Sequence, residues 1–307
     1  MNRLANSSPP PPLSRWKKLQ RSFNKKIGRP ATPDVGIIAS MLVTLRDATF
    51  TAVLDRVAIS HPRIQGLAEE DIWDALEYAR LRPWVAADLP RPKVVLPLPA
   101  AGAYPSRLLE SYAIFAGHSE GLCKHYENFW QCAEEQDQVP MEKTLVVGIT
   151  PTDLRGEIIR TRSAFTDLQP SKGDQAFLDL ELGLAASDDK PDFWTRVTDT
   201  LRGFCATVPE GFRIDTILLT GENATRPAFL QALRSALGGN GYLQREGDGW
   251  GQMSFVNEGE AVVDPIFASA RGAAQYARWR QEAPIGCEER DRCEEERRRQ
   301  VKRVELR

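Results

Sequence analysis

The stretch Ile214–Gly238, IDTILLTGENATRPAFLQALRSALG, governs how the rest of the chain is read. Ile214, Ile217, Leu218 and Leu219 form a short apolar run rich in branched side chains, the mark of a buried strand. Gly221 then allows a backbone turn that a side chain would obstruct. Thr225 suits an N-cap, and Pro227 suits the first helical position, where its missing N–H costs nothing. Phe229, Leu230, Leu233, Ala236 and Leu237 recur at helical spacing, and Gly238 with Gly239 ends the run. The bland reading is a strand–turn–helix of any α/β domain. The sharper one is a cradle for an anion or nucleotide at the helix N-terminus.

Working outward, a second α/β unit surrounds this stretch. Thr144–Ile149 reads as a strand, Thr150–Arg155 as a turn and Gly156–Arg162 as its hairpin partner. Phe193–Val208 follows as a helix with Val197, Leu201, Phe204 and Cys205 on its buried side. Asp264 and Pro265 open a last helix through Arg280, whose Ala270, Ala273, Ala274 and Ala277 permit close approach to a sheet. Earlier in the chain, helices are expected over Thr32–Leu54, Glu69–Arg80 and Ser106–Ala116, with short strands at Val57–Ser60 and Val94–Leu96.

The ends and the middle differ in composition. Met1–Pro30 carries eight Lys or Arg and no acid, so the rest of the chain holds about −10 of the net −2. Such an arm can serve an acidic partner, a membrane surface or nucleic acid. No nucleic-acid motif accompanies the charge, and the arm is read as a disordered, solubilising tail with Trp16 and Phe23 loosely on the body. It is therefore expected to add little to stability. Gly117–Pro140 reads as a polar connector. Its Cys123, His125 and Cys132 match no zinc spacing, and no metal ligands are assigned. His61 and His118 have no nucleophile or carboxylate at a recognisable spacing, so packing or surface roles are expected. The organisation expected is a disordered basic arm over 1–30, a partial first lobe over 31–118 and a connector over 119–140. A second lobe over 141–281 and a charged tail over 282–307 complete it. No run approaches a membrane span of ~20 apolar residues. An odd count of five Cys fits free thiols and a cytoplasmic or nuclear location.

Three segments together resemble the actin-like ATPase superfamily, in its seventy-kilodalton heat-shock chaperone branch and its divergent fungal-type members. VAISHPRIQGLAEEDIWDALEYARL (Val57–Leu81) resembles a strand–Pro–helix segment of that family. LLTGENATRP (Leu218–Pro227) resembles its adenosine motif, and DPIFASARGAAQYA (Asp264–Ala277) its closing helix. The resemblance runs from about Asp34 to Arg278. It implies an α/β, two-lobed actin-like ATPase (ribonuclease H-like) fold, here degenerate and without the N-terminal strands of the first lobe. It also implies ATP or ADP as ligand, bound beside Gly148, Thr150, Gly221, Glu222 and Arg226.

The departures from the family pattern matter as much. Each lobe of that family grips phosphate with a Gly-rich, Asp-bearing hairpin. Before the Thr32 helix only the basic arm stands, and the second hairpin position reads LVVGITPT (Leu145–Thr152) with one Gly and no Asp. The family's catalytic Lys belongs to the first sheet and has no counterpart. Glu222 occupies the place of a motif Gly, and Ile266 that of a carboxylate. Phosphoryl transfer is almost wholly positioning and charge stabilisation, so no catalytic residue is assigned. The expectation is a non-catalytic relic that acts as a binding or scaffold module. It binds nucleotide weakly at most, has an unidentified protein partner and makes no use of nucleic acid. The alternative is a working ATPase chaperone with displaced catalytic groups. No peptide-binding β-sandwich follows within the 307 residues, so client binding of the chaperone kind is not expected.

Overall fold

Leu145, Val147 and Ile149 alternate with Thr144, Val146 and Gly148, and all six positions are apolar or small enough to be covered. A strand of this kind is stable only with a layer on each face. The computed structural model describes residues 13–49, 56–64, 66–83, 108–165, 175–186, 191–207, 214–238 and 263–282, and it builds that arrangement. Strands β5 (Glu142–Ile149), β6 (Leu154–Thr161), β7 (Gln175–Asp179) and β8 (Thr216–Thr220) form one sheet in the order β7-β6-β5-β8. The first three make an antiparallel meander, and β8 returns parallel to β5, with Leu145 beside Ile217 and Gly148 beside Thr220.

One face of this sheet is covered by helices α6 (Phe193–Ala206) and α7 (Pro227–Leu237). Leu145, Val147, Ile149, Ile217 and Leu219 meet Val197, Leu201, Phe229 and Leu233 there. The other face is covered by α4 (Glu110–Gly117) and α8 (Pro265–Glu282), where Tyr112, Phe115 and Tyr276 pack on Val146, Ile159 and Leu218. Each fully buried Leu, Ile or Phe contributes about 1.5–3 kcal/mol, so the two faces hold most of the apolar stabilisation. The helices α4 and α8 approach at backbone distance. A Cβ on Gly117 would lie 2.1 Å from the Ala268 carbonyl oxygen, and one on Gly272 even closer to that of Ala113.

A smaller body precedes the sheet. Helices α2 (Pro33–Thr49) and α3 (Glu69–Tyr78) pack through Val35, Ala39, Ala75 and Leu76. Two-residue strands β1 (Arg56–Val57) and β3 (Arg82–Pro83) pair in parallel, as do β2 (Ser60–His61) and β4 (Leu108–Leu109). Helix α4 lies in sequence within the expected first lobe, yet its side chains pack on the larger sheet.

The structure revises several expectations. Within the arm expected to be disordered, Arg15–Lys26 is a helix, α1, capped by Ser14. One-signed charge cannot fold alone, but α3 presents Asp71, Asp74 and Glu77 on one face. Arg21 Nη1 donates to Asp71 at 2.7 Å and Nη2 to Asp74 at 2.6 Å, while Lys25 pairs with Asp74 at 2.8 Å and with Glu77. Trp16 and Phe23 do not rest on the body; both are exposed. The connector contains helix α5 (Phe129–Gln138), and Cys123 and Cys132 are disulfide-bonded rather than free thiols, with Cα atoms 5.2 Å apart. That bond removes the free-thiol argument for a cytoplasmic or nuclear location. Cys205 is free and buried, and burial pushes its thiol up to about 11. The N-cap of α7 is Arg226, not Thr225. Of the helix expected over Ser106–Ala116, Leu108 and Leu109 form β4 and the helix starts at Glu110. Val94–Leu96, the Cys287–Arg307 tail and residues 1–12 lie outside the described residues. No described helix is long and apolar enough to cross a membrane.

Arg21→Ala is expected to lower stability by about 1–3 kcal/mol, because two carboxylates lose a forked partner. Arg21→Lys should recover only part of it, since an ammonium lacks the planar fork that gives Asp74 two bonds while reaching Asp71. Thermal melts of the three proteins check this; an unchanged midpoint in Arg21→Ala means α1 is not anchored.

Candidate functional site

Parallel pairing of β5 with β8 brings the C-terminal ends of both strands to one edge. In open α/β sheets such an edge, next to a helix N-terminus, is where ligands bind. Three of the five expected site residues meet there. Gly148 is buried beside Thr220, and a Cβ on it would lie 2.3 Å from the Thr220 carbonyl oxygen. Gly221 has φ +93°, and a Cβ there would meet the Ile149 carbonyl oxygen at 2.9 Å. Its N–H donates to the Pro265 carbonyl at 3.3 Å. Both glycines are thus required by backbone packing and turn geometry, whatever else they do.

Thr150 begins the β5–β6 hairpin turn and is satisfied inside it. Its Oγ1 donates to Asp153 Oδ2 at 2.7 Å and accepts from the Thr152 and Asp153 N–H groups at 3.2 and 3.1 Å. Its N–H donates to the Asp153 carbonyl at 2.8 Å. Glu222 and Arg226 are not drawn into this cluster. Both are exposed on the solvent side of the β8–α7 turn, with no side-chain hydrogen bond or ion pair among the described residues.

What sequence reasoning missed is the charge cluster beneath the hairpin. Arg155, on β6, donates from Nε and Nη2 to the two carboxylate oxygens of Glu110, each at 2.8 Å. Its Nη1 donates to Asp153 Oδ1 at 2.6 Å. Thr220 Oγ1 donates to Glu110 Oε1 at 3.3 Å, which ties the cluster to β8. Burial works against the Arg155 charge, but Glu110 and Asp153 outweigh it and hold the guanidinium charged above its ordinary range. A second pair, Arg63 with Glu157 at 2.5 Å, lies alongside. Between the two pairs is a cavity of about 20 Å³, lined by Glu110, Ser111, Val146, Arg155, Glu157 and Thr220. That volume is about enough for one water.

No local pattern announces these partners, because Glu110 and Arg155 are 45 residues apart. The available signal was the pair of charges Arg155 and Glu157, set between the apolar Leu154 and Ile158 in one strand.

A larger groove of about 450 Å³ lies elsewhere, between β7 and α6, lined by Phe177, Leu178, Glu181, Gly203, Phe204 and Thr207. It contains none of the expected site residues. Of the histidines, His61 Nδ1 is 2.8 Å from the Pro62 carbonyl oxygen. His118 is held below its ordinary value by burial and by nearby Arg271. His125 pairs with Glu135 beside the disulfide.

No family model and no curated protein sequence matches this chain. Among solved structures it is similar to a chain of a PilM–PilN type IV pilus biogenesis complex, at 17% identity and a TM-score of 0.35. The match covers 72% of this chain and 60% of that one. A likeness this distant carries no argument, so the reading of the site rests on the chain's own residues.

Two substitutions separate structure from ligand binding at this edge. Arg155→Ala leaves two carboxylates facing each other and should cost about 2–4 kcal/mol, somewhat under a deeply buried pair because the rims touch solvent. Gly148→Ala should cost about 1–3 kcal/mol through the Thr220 backbone, with or without nucleotide present. Denaturant titration reads both. A Gly148→Ala protein of unchanged stability that loses nucleotide binding would make the glycine a ligand contact instead.

Proposed function

We propose that this chain is a non-catalytic binding or scaffold module of the two-lobed actin-like ATPase type, related to the chaperone branch, whose partner is a protein. The observation that carries the reading is the Arg155–Glu110–Asp153 cluster. It lies at the edge where a phosphate-gripping hairpin would be needed, and its one cation is already committed to two carboxylates. Phosphoryl transfer needs fixed donors and a metal ion aimed at the phosphates. Here the hairpin hydroxyl of Thr150 and the guanidinium of Arg155 are both engaged within the protein.

The residues at this edge fit a nucleotide's phosphates poorly. The cavity is of single-water size, the Gly148 backbone is packed on Thr220, and the Glu222 carboxylate would repel phosphate. Weak ATP or ADP binding is the most this edge offers, with base and ribose beside Gly221, Glu222 and Arg226. A guanidinium on a purine face contributes about 0.5–2 kcal/mol, depending on desolvation. Adenosine should therefore bind about as well as ATP.

Calorimetric titration with adenosine, ADP and ATP, with and without magnesium, tests this on the wild type and on Arg226→Ala. The expected result is no hydrolysis above a buffer blank and no preference for ATP. Magnesium-dependent turnover that is abolished by a point change in the Gly221 turn would instead favour a working ATPase with displaced catalytic groups.

A further inference from the structure

We infer that α1 seats the protein on an anionic lipid surface, with Trp16, Leu19, Phe23 and Ile27 entering the headgroup boundary. These four side chains are 75, 63, 62 and 47% exposed, and no residue of α1 is buried. They recur every three or four residues and so share one face. The residues that hold α1 to α3, Arg21 and Lys25, fall on roughly the opposite face at about 100° per residue. The ion pairs to α3 therefore do more than dock the helix. They fix its orientation with the apolar stripe turned outward.

The charge around the stripe identifies the occupant. Arg15, Lys17, Lys18, Lys26 and Arg29 are exposed and have no ion pair among the described residues. Residues 1–30 contain no acid at all. A preformed helix with aromatic and aliphatic residues on one side, flanked by Arg15 and Lys26 and carrying further cations around it, is complementary to an anionic interface. Trp and Phe are suited to the headgroup level. A second copy of the chain fits less well, since face-to-face pairing would set these cations against one another. A nucleic-acid backbone would use the cations but has nothing to match four outward apolar side chains. Because α1 is already helical and anchored, little ordering cost remains when it binds.

Flotation of the full chain with vesicles tests the inference. Phosphatidylcholine mixed with phosphatidylserine is compared with phosphatidylcholine alone, and duplex DNA is the phosphate control. The expected result is binding to the anionic vesicles at least about tenfold above the neutral ones, weakened by added salt. The double variant Trp16→Glu, Phe23→Glu should lose about tenfold or more in vesicle binding with its melting temperature unchanged, since neither side chain packs on the body. Arg15→Glu with Lys26→Glu, at the two exposed cations that flank the stripe, should lower the anionic preference. Failure to bind anionic vesicles overturns the inference, as does vesicle binding indifferent to the Trp16 and Phe23 changes. Duplex binding of equal strength that survives those changes also overturns it, as does a solution dimer that they dissolve.

Discussion

A strand buried on both faces must be covered twice, and β5 imposes that constraint on everything around it. Its neighbours β6 and β8 satisfy its backbone on either side. Its odd-numbered side chains require α6 and α7, and Val146 with its neighbours requires α4 and α8. Open backbone or bare apolar surface in such a strand would cost more than the domain's whole margin of stability. The close approach of α4 to α8 follows from the same demand: two helices share one narrow face, and glycines at 117 and 272 let them fit.

Arginines tie the peripheral elements to this frame. Arg21 joins α1 to α3, and Arg155 joins β6 to the start of α4 and to the hairpin turn. Arg63 reaches Glu157 from the segment between β2 and α3. In each case a planar, always-charged fork meets a carboxylate from an element far apart in sequence. Such pairs are modest sources of net stability but strict selectors of geometry, since a lone buried carboxylate is costly. At the C-terminal edge of the sheet the same device has a functional consequence. There the Arg155 guanidinium is already committed to Glu110 and Asp153.

The molecule thus presents two different faces to the outside. Beside the sheet edge, where ligands of α/β proteins are expected, lies a cavity of about one water. The outer side of α1 is open, apolar and ringed with positive charge. The binding module proposed above draws on both features.

The order of strands and helices around Gly221 was legible from residues 142–165 and 214–238, because apolar periodicity and Gly–Pro punctuation act over a few residues. The β5–β6 hairpin, β8, α7 and α8 all fall close to where that pattern puts them. Of the site, the local pattern offered the Gly221 turn next to the N-terminus of α7. Three features were decided only in three dimensions. Helix α1 is stabilised by acids about fifty positions away, so its own composition reads as disorder. The Cys123–Cys132 bond lies in a stretch whose spacing carried no signal. The pairing of Arg155 with Glu110 depends on α4 lying across the sheet. Local sequence sets backbone preference over a handful of residues. Which charges meet depends on how whole elements pack, and that is a property of the folded chain alone.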